Sequence, residues 1–328
     1  MKTITAALIL SLAAALPANI AAAQERYEVA RDTPPWFKES FLDFEEDVAE
    51  ANDDGKQMMV YFGQDGCPYC KVLHEVNFRQ SDIVQTLRDN FDAVAVNMFG
   101  DVETIWTDGD ARSEKELAQY LNIQFTPTLL FLDDSGKEIL RLAGYQPPRK
   151  FMTALQYVRD GAPGNFADYL HQHLPPNTTA KAPPYPKAFI KPPHNFSAPG
   201  QKVAVLITQS ECQACDEWRH FLAGDGSKAW RQKNAVAEVS MHGKEKIDGS
   251  DSAAWVREQN IPFVPALIFL DADGGEIFRA DGYLRSFHLG SLLEYVEVGA
   301  QKTEPEFQRF IQKRADQMRA DGMEVVIY

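Results

Sequence analysis

FLDDSGKEILRLAGY (residues 131–145) aligns without a gap on FLDADGGEIFRADGY (residues 269–283), with nine of the fifteen positions identical. A match of this quality marks an internal duplication and decides the architecture. Upstream, VNMFG at 96–100 matches VSMHG at 239–243, and Asn122-Ile123 and Pro127 match Asn260-Ile261 and Pro265. All four cysteines fall into the same frame, as Cys67-Pro68-Tyr69-Cys70 and Cys212-Gln213-Ala214-Cys215. Each motif follows an apolar run (MMVYF, 58–62; VAVLI, 203–207) and precedes a helical pattern.

Each copy reads as one series of elements. A strand ends at the Cys-x-x-Cys, and a helix runs from it (Pro68 to Phe78; Ala214 to Leu222). A second strand follows (Phe91 to Met98; Ala235 to Met241), then a helix (Ser113 to Leu121; Ser252 to Gln259). A proline precedes an apolar strand (Thr128 to Leu132; Ala266 to Leu270), a hairpin partner comes next, and a helix closes the unit (Arg149 to Arg159; Ser286 to Val298). Strands alternating with helices and ending in a hairpin imply an α/β fold with a central mixed sheet flanked by helices, present twice. The domain limits read as 24–160 and 201–300. Residues 161–200 hold nine of the nineteen prolines and read as linker and lead-in, and 301–328 as a helical tail ending in a strand at Val325 to Ile327. The pattern from Trp36 to Asn52 predicts an extra first helix.

Residues 1–23 read as a secretory signal peptide: Lys2, an apolar core from Ile4 to Leu16, and Ala21-Ala22-Ala23 as the cleavage site. That core is shorter than the ~20 residues of a spanning helix. Export to the periplasm, an oxidising space, usually selects cysteines for structural disulfides. A bridge inside a four-residue motif closes almost no loop and stabilises little, so these pairs read as reagents. A formal net charge of −14 argues against nucleic acid as a partner. Two Cys-x-x-Cys pairs could hold zinc, but zinc pairs usually lie some 15–20 residues apart. These lie 145 apart (212 − 67), at equivalent points of a repeat. His171 and His173 read as linker residues. No cofactor is expected.

With strand, Cys-x-x-Cys at a helix start, and proline before the third core strand, both copies resemble thioredoxin-fold domains. The first is similar, more narrowly, to the exported thioredoxins of bacterial sulfur-oxidation systems (SoxW type), through CPYCKVLHEVNF at 67–78, SEKELA at 113–118 and FTPT at 125–128. The resemblance implies thiol–disulfide exchange with protein disulfides, electrons from a membrane thiol donor, and cis prolines at Thr126-Pro127 and Val264-Pro265 beside the cysteines. Proline lacks an N–H, and the backbone before it is expected to pair with an extended substrate segment. Cys67, expected to be the more exposed, attacks as a thiolate stabilised by the helix N-terminus, and Cys70, one turn deeper, resolves. Cys212 and Cys215 take the same roles in the second copy.

Flanking charges separate the two sites. Glu211, Asp216 and Glu217 crowd Cys212 and disfavour its thiolate, whereas Lys71 and His74 follow Cys67. The acids give the second pair the more reducing potential but slow its attack, so the first site is expected to be the more reactive, and reduction of partner disulfides is the direction favoured for it. Oxidase or isomerase chemistry is the alternative, as is a second domain that serves only to bind a partner, or an internal relay between the pairs. His74 is a candidate proton carrier or a plain helix-surface histidine. The buried acid that thioredoxins commonly carry six positions before the first cysteine is replaced by Tyr61 and Leu206. The insert from Phe99 to Glu116 reads equally as an acidic specificity lid favouring basic or neutral partners or as an inert acidic loop, with Trp106 as its candidate substrate contact.

Overall fold

The computed structural model describes residues 27–175 and 183–325. The leader read over residues 1–23, and Val326 and Ile327 of the anticipated last strand, lie outside the described residues. Helices α1 (Val29–Asp32) and α2 (Phe44–Asp53) precede the first sheet. Helix α2 is a shorter form of the helix expected from Trp36 to Asn52, and α1 precedes that stretch. Pro34 and Pro35 remove helix donors and push their neighbours toward extended backbone. Asp43 starts α2 by accepting from the backbone N–H groups of Glu45 and Glu46, both at 3.1 Å.

The first domain continues through β1 (Gln57–Gly63), α3 (Pro68–Val72), α4 (Ser81–Asn90), β2 (Phe91–Asn97), β3 (Glu103–Ile105), β4 (Ala111–Ser113), α5 (Glu114–Tyr120), β5 (Thr128–Leu132), β6 (Glu138–Ala143) and α6 (Pro148–Arg159). Its sheet has the order β2-β1-β5-β6, with β1 parallel to β2 and antiparallel to β5. Strand alternation splits the core cleanly. Met59 and Tyr61 face the side of Cys70, Ile83 and Phe151, while Met58, Val60 and Phe62 face Phe44, Val48 and Leu117. A central strand covered on both faces requires the near-continuous apolar run that β1 carries.

Residues 161–200 are more than a linker. They contain α7 (Phe166–His173), whose Phe166 and Tyr169 pack on Tyr157 of α6 at 4.9 and 5.2 Å. Phe189 and Phe196 then enter the second core. The proline content masked these buried faces. The second domain comprises β7 (Val203–Thr208), α8 (Gln213–Ala223), α9 (Lys228–Arg231), β8 (Ala235–Ser240), β9 (Lys246–Ile247), β10 (Ser250–Asp251), α10 (Ser252–Glu258), β11 (Ala266–Leu270), β12 (Glu276–Asp281), α11 (Ser286–Glu297) and α12 (Phe307–Ala320). Its sheet, in order β12-β11-β7-β8, repeats the first. So does its end: Phe307 of α12 packs on Tyr295 of α11 at 5.2 Å, as Phe166 packs on Tyr157. Helix α12 is thus the counterpart of α7 and belongs to the repeat. Among the described residues no helix is long and apolar enough to cross a membrane.

The two domains meet through equivalent elements, each lending an aromatic residue to the other. Phe263, two positions before Pro265, joins the first domain's core and lies 5.6 Å from Phe166. Phe125, two positions before Pro127, joins the second domain's core and lies 5.7 Å from Phe307. Between them the strand ends at Gly144 and Gly282 touch. A Cβ on Gly282, at φ +147°, would sit 2.9 Å from the Ala143 carbonyl oxygen and 3.8 Å from the Gly144 Cα. Only glycine permits that approach.

Candidate active site

Both Cys-x-x-Cys pairs are disulfide-bonded at a helix start. Cys67 caps α3, its Sγ accepting from the Cys70 N–H at 3.0 Å, and Pro68 occupies the first helical position where a missing donor costs nothing. Cys212 caps α8 in the same way, accepting from Cys215 N–H at 3.1 Å. The Thr126-Pro127 and Val264-Pro265 bonds are cis. The Cys67 Sγ lies 3.5 Å from the Thr126 carbonyl oxygen. Sulfur, helix N-terminus and the backbone before the proline therefore converge at the first site.

The first cysteines of the two motifs differ in accessibility. Cys67 is 1 % exposed, whereas Cys212 is half-buried. The physical reason is the domain contact: Cys67 and Thr126 line a cavity of about 440 Å³ whose far side is built by Gly282, Tyr283, His288 and the α12 residues Arg309 and Gln312. Tyr69, inside the first motif, accepts from the Arg285 N–H at 3.1 Å and faces the His288 ring at 6.0 Å. A related cavity of about 480 Å³ lies before the second motif, lined by Ser210, Val264, Lys150 and the α7 residues Asp168 and His171. Lys150 stands at the repeat position of His288 and donates to the Val264 carbonyl at 3.4 Å. Cys67 thus lines one of the two cavities at the domain contact, whereas the other is lined by Gln209, Ser210 and Glu211, just before Cys212.

Beneath the first motif the chain leaves the α-helical path for one wider turn, Leu73–Asn77, which carries His74 and Asn77 inward. His74 is buried, not on the helix surface. Its Nε2 lies 3.2 Å from the Tyr27 hydroxyl, its Nδ1 3.0 Å from the Asp32 carbonyl oxygen, and Tyr27 bonds the Tyr61 hydroxyl at 2.8 Å. Burial pushes the His74 pKa down to about 4 and pushes the Tyr61 phenol well up. Tyr61, at the position of the missing acid, is thus a neutral hydroxyl in a chain of polar groups. Tyr27 escaped the sequence reading because it lies far from the motif.

In the second domain the equivalent of His74 is Arg219, paired with Asp216 and with buried Glu238, which also accepts from Thr208 at 2.9 Å. Glu217 accepts from the Tyr283 hydroxyl at 2.5 Å and from Gln213 at 3.2 Å. Two of the acids expected to burden Cys212 are therefore engaged elsewhere. Trp106 does not approach substrate-binding backbone: it is 6 % exposed and packs on Phe44 at 5.0 Å. The neighbouring ribbon β3-β4 is half-buried to exposed apart from Thr104, so Trp106 is core at the base of a surface ribbon beside α2. Phe99, at the insert's start, is the residue that reaches the Cys67 cavity. His173 stacks on Tyr169 at 3.9 Å and His171 meets His242 at 4.5 Å.

A duplicated mixed sheet with a Cys-x-x-Cys at a helix start in each half defines a thiol–disulfide oxidoreductase class. Residues 44–159 and 194–297 match the family model described as a thioredoxin-like domain, and the chain belongs to that family. It is 29 % identical over 121 residues to the thiol:disulfide interchange protein DsbD of Colwellia psychrerythraea, covering 36 % of this chain and 18 % of that one. It is 30 % identical over 116 residues to DsbD of Pseudoalteromonas atlantica, covering 33 % and 17 %. The chain therefore spans less than a fifth of the length of these relatives. A solved thioredoxin-fold protein from Helicobacter pylori is 28 % identical with a TM-score of 0.30, over 37 % of this chain and 83 % of that one. A thioredoxin from Thermus thermophilus is 27 % identical with a TM-score of 0.29, over 35 % and 83 %.

Proposed function

We propose that this protein is an exported, periplasmic thiol–disulfide oxidoreductase that reduces disulfides of other exported proteins through Cys67 and Cys70, recharged by a membrane thiol donor. The observation that carries the reading is the convergence of the Cys67 sulfur, the α3 N-terminus and the Thr126 carbonyl. In the reduced protein the helix end stabilises the Cys67 thiolate, which attacks a partner sulfur and expels the other. Cys70 then displaces the partner and closes the Cys67–Cys70 disulfide. The likeness to sulfur-oxidation thioredoxins favours targets in sulfur-compound pathways.

The test is the reduction potential of the first pair in a Cys212→Ser, Cys215→Ser variant of the full chain. A value near thioredoxin's, about −270 mV, is expected, and one near about −120 mV would make it an oxidase. Trapping by a Cys70→Ala variant identifies the partners by mass spectrometry. The partial exposure of Cys212 favours a second reading, in which the second pair meets large partners first. Loss of trapped partners in Cys212→Ser would support that division of labour.

A further inference from the structure

Lys150 belongs to the first domain, yet its side chain ends in the second site. From the first turn of α6 its ammonium donates to the Val264 carbonyl at 3.4 Å and lies 5.4 Å from the Phe263 ring. By the repeat, that carbonyl is the counterpart of the Thr126 carbonyl, which the Cys67 sulfur meets at 3.5 Å. Val264 packs in one cluster with Cys215 and Cys212. Among the described residues no carboxylate pairs with Lys150, and burial alone acts on it, lowering its pKa from 10.5. A partly buried cation without a counter-ion carries a cost that an anion placed nearby removes. The other charges on this side are matched differently. Asp216 pairs with Arg219, and Arg219 with Glu238. Glu217 accepts from Tyr283 and Gln213, and Asp168 pairs with Arg257 at 3.1 Å. His242, beside His171, has its pKa lowered from 6.5 chiefly by burial and stays neutral where a thiol titrates. Glu211, exposed, is the acid next in sequence to Cys212.

We propose that Lys150 is a positioning residue of the second active site, supplied by the first domain, and that its ammonium stabilises the Cys212 thiolate once the disulfide is reduced. This rests on the reading that the second pair undergoes thiol–disulfide exchange. A dithiol donor delivers two electrons and two protons, the Cys212–Cys215 S–S bond breaks, and the donor leaves as its disulfide. Cys212 then gives its proton to water and remains as a thiolate between the α8 N-terminus and Lys150. A cation a few ångströms from a thiol lowers its pKa, as neighbouring carboxylates raise it, so Lys150 offsets the acids that flank the motif. At the first site His288 holds the repeat position, and burial keeps it neutral, with its pKa pushed down to about 4. The equivalent side chain therefore brings Cys67 no charge. A stabilised thiolate favours the reduced form, and Lys150 gives the second pair a more oxidising potential than its acids alone would set. The contact between the domains thus tunes the two pairs apart.

The test uses the full chain with Cys67→Ser and Cys70→Ser, reduced with dithiothreitol and desalted. Cys215 is fully buried, so iodoacetamide meets Cys212 first. Its alkylation rate, followed by mass spectrometry from about pH 5 to about pH 10, reports the thiolate. Lys150→Met, which keeps the apolar stem, should raise the Cys212 pKa by about one unit and slow alkylation about tenfold below that pKa. Lys150→Arg, which keeps the charge, should restore most of both. In Lys150→Met the equilibrium with glutathione should move several-fold toward the Cys212–Cys215 disulfide. A merely structural role is read in the Cys212→Ser, Cys215→Ser chain, where Lys150→Met should leave the Cys67 alkylation rate unchanged. An unchanged Cys212 pKa in Lys150→Met, or an equal rise in Lys150→Arg, overturns the proposal. So does a Cys67 rate that rises in Lys150→Met, which would mean that the domains had parted. If the second pair of the parent is neither reduced by dithiothreitol nor exchanged with glutathione, the exchange reading itself fails.

Discussion

Burial holds His74 and His288 neutral, each with its pKa pushed from 6.5 to about 4 chiefly by desolvation. The unfolded chain takes up protons at these positions below about pH 6.5, which the folded chain refuses until about pH 4. Their contribution to stability is thus full above that window and is lost as pH falls through it, by up to about 3 kcal/mol for each. Asp281 acts with the opposite sign, since burial raises its carboxyl to about 6 and the folded chain is the better proton acceptor there. In His74→Gln the drop in unfolding free energy between pH 7 and pH 4 should shrink by about 3 kcal/mol relative to the parent. Urea melts at both pH values measure it, and an unchanged drop would mean that His74 protonates freely in the folded protein. The Arg219–Glu238 pair makes a second case. Glu238→Leu alone leaves the Arg219 guanidinium with only the exposed Asp216 as ion-pair partner and should cost up to about 3 kcal/mol, whereas adding Arg219→Met should recover most of it.

At the scale of elements, the ribbon β3-β4 changes the meaning of Trp106. As a core residue under α2, its truncation to alanine should cost about 3–5 kcal/mol in denaturant unfolding, with peptide reduction by the folded fraction unaffected. A slower reaction without lost stability would return it to a substrate role. The elements themselves were largely legible: MMVYF and TLLFL are apolar runs of strand length, and the proline before each third core strand, Pro127 and Pro265, punctuates them. What was not legible depended on side chains meeting across the chain. Nothing near Trp106 names Phe44 as its neighbour. The wider turn at Leu73–Asn77 has no local signal, yet it carries His74 from surface to interior. Helix α7 was hidden because proline-rich flanks outweigh one short apolar face, although the Tyr157–Phe166 and Tyr295–Phe307 pairs recur in both copies.

For the whole molecule, the decisive feature is which faces the two copies turn toward each other. Phe125 and Phe263 hold the same repeat position beside backbone expected to receive substrate, and a large aromatic kept there in both copies was the available sign that this face is covered. Covering it closes Cys67. Gly282→Val, whose added atoms collide with Ala143 and Gly144, should part the domains and raise the alkylation rate of reduced Cys67 by about tenfold, read in the Cys212→Ser, Cys215→Ser background. An unchanged rate would locate the cover within the first domain. The Gly144–Gly282 contact carries one more consequence. Two identical chains meeting there would receive every substitution twice, once on each side of the junction. Because both halves share one polypeptide, a change enters on one side alone. Lysine can stand at 150 and histidine at 288, one occupying the carbonyl before its proline and the other leaving it open. Within one polypeptide, the two sides of the Gly144–Gly282 contact are free to differ.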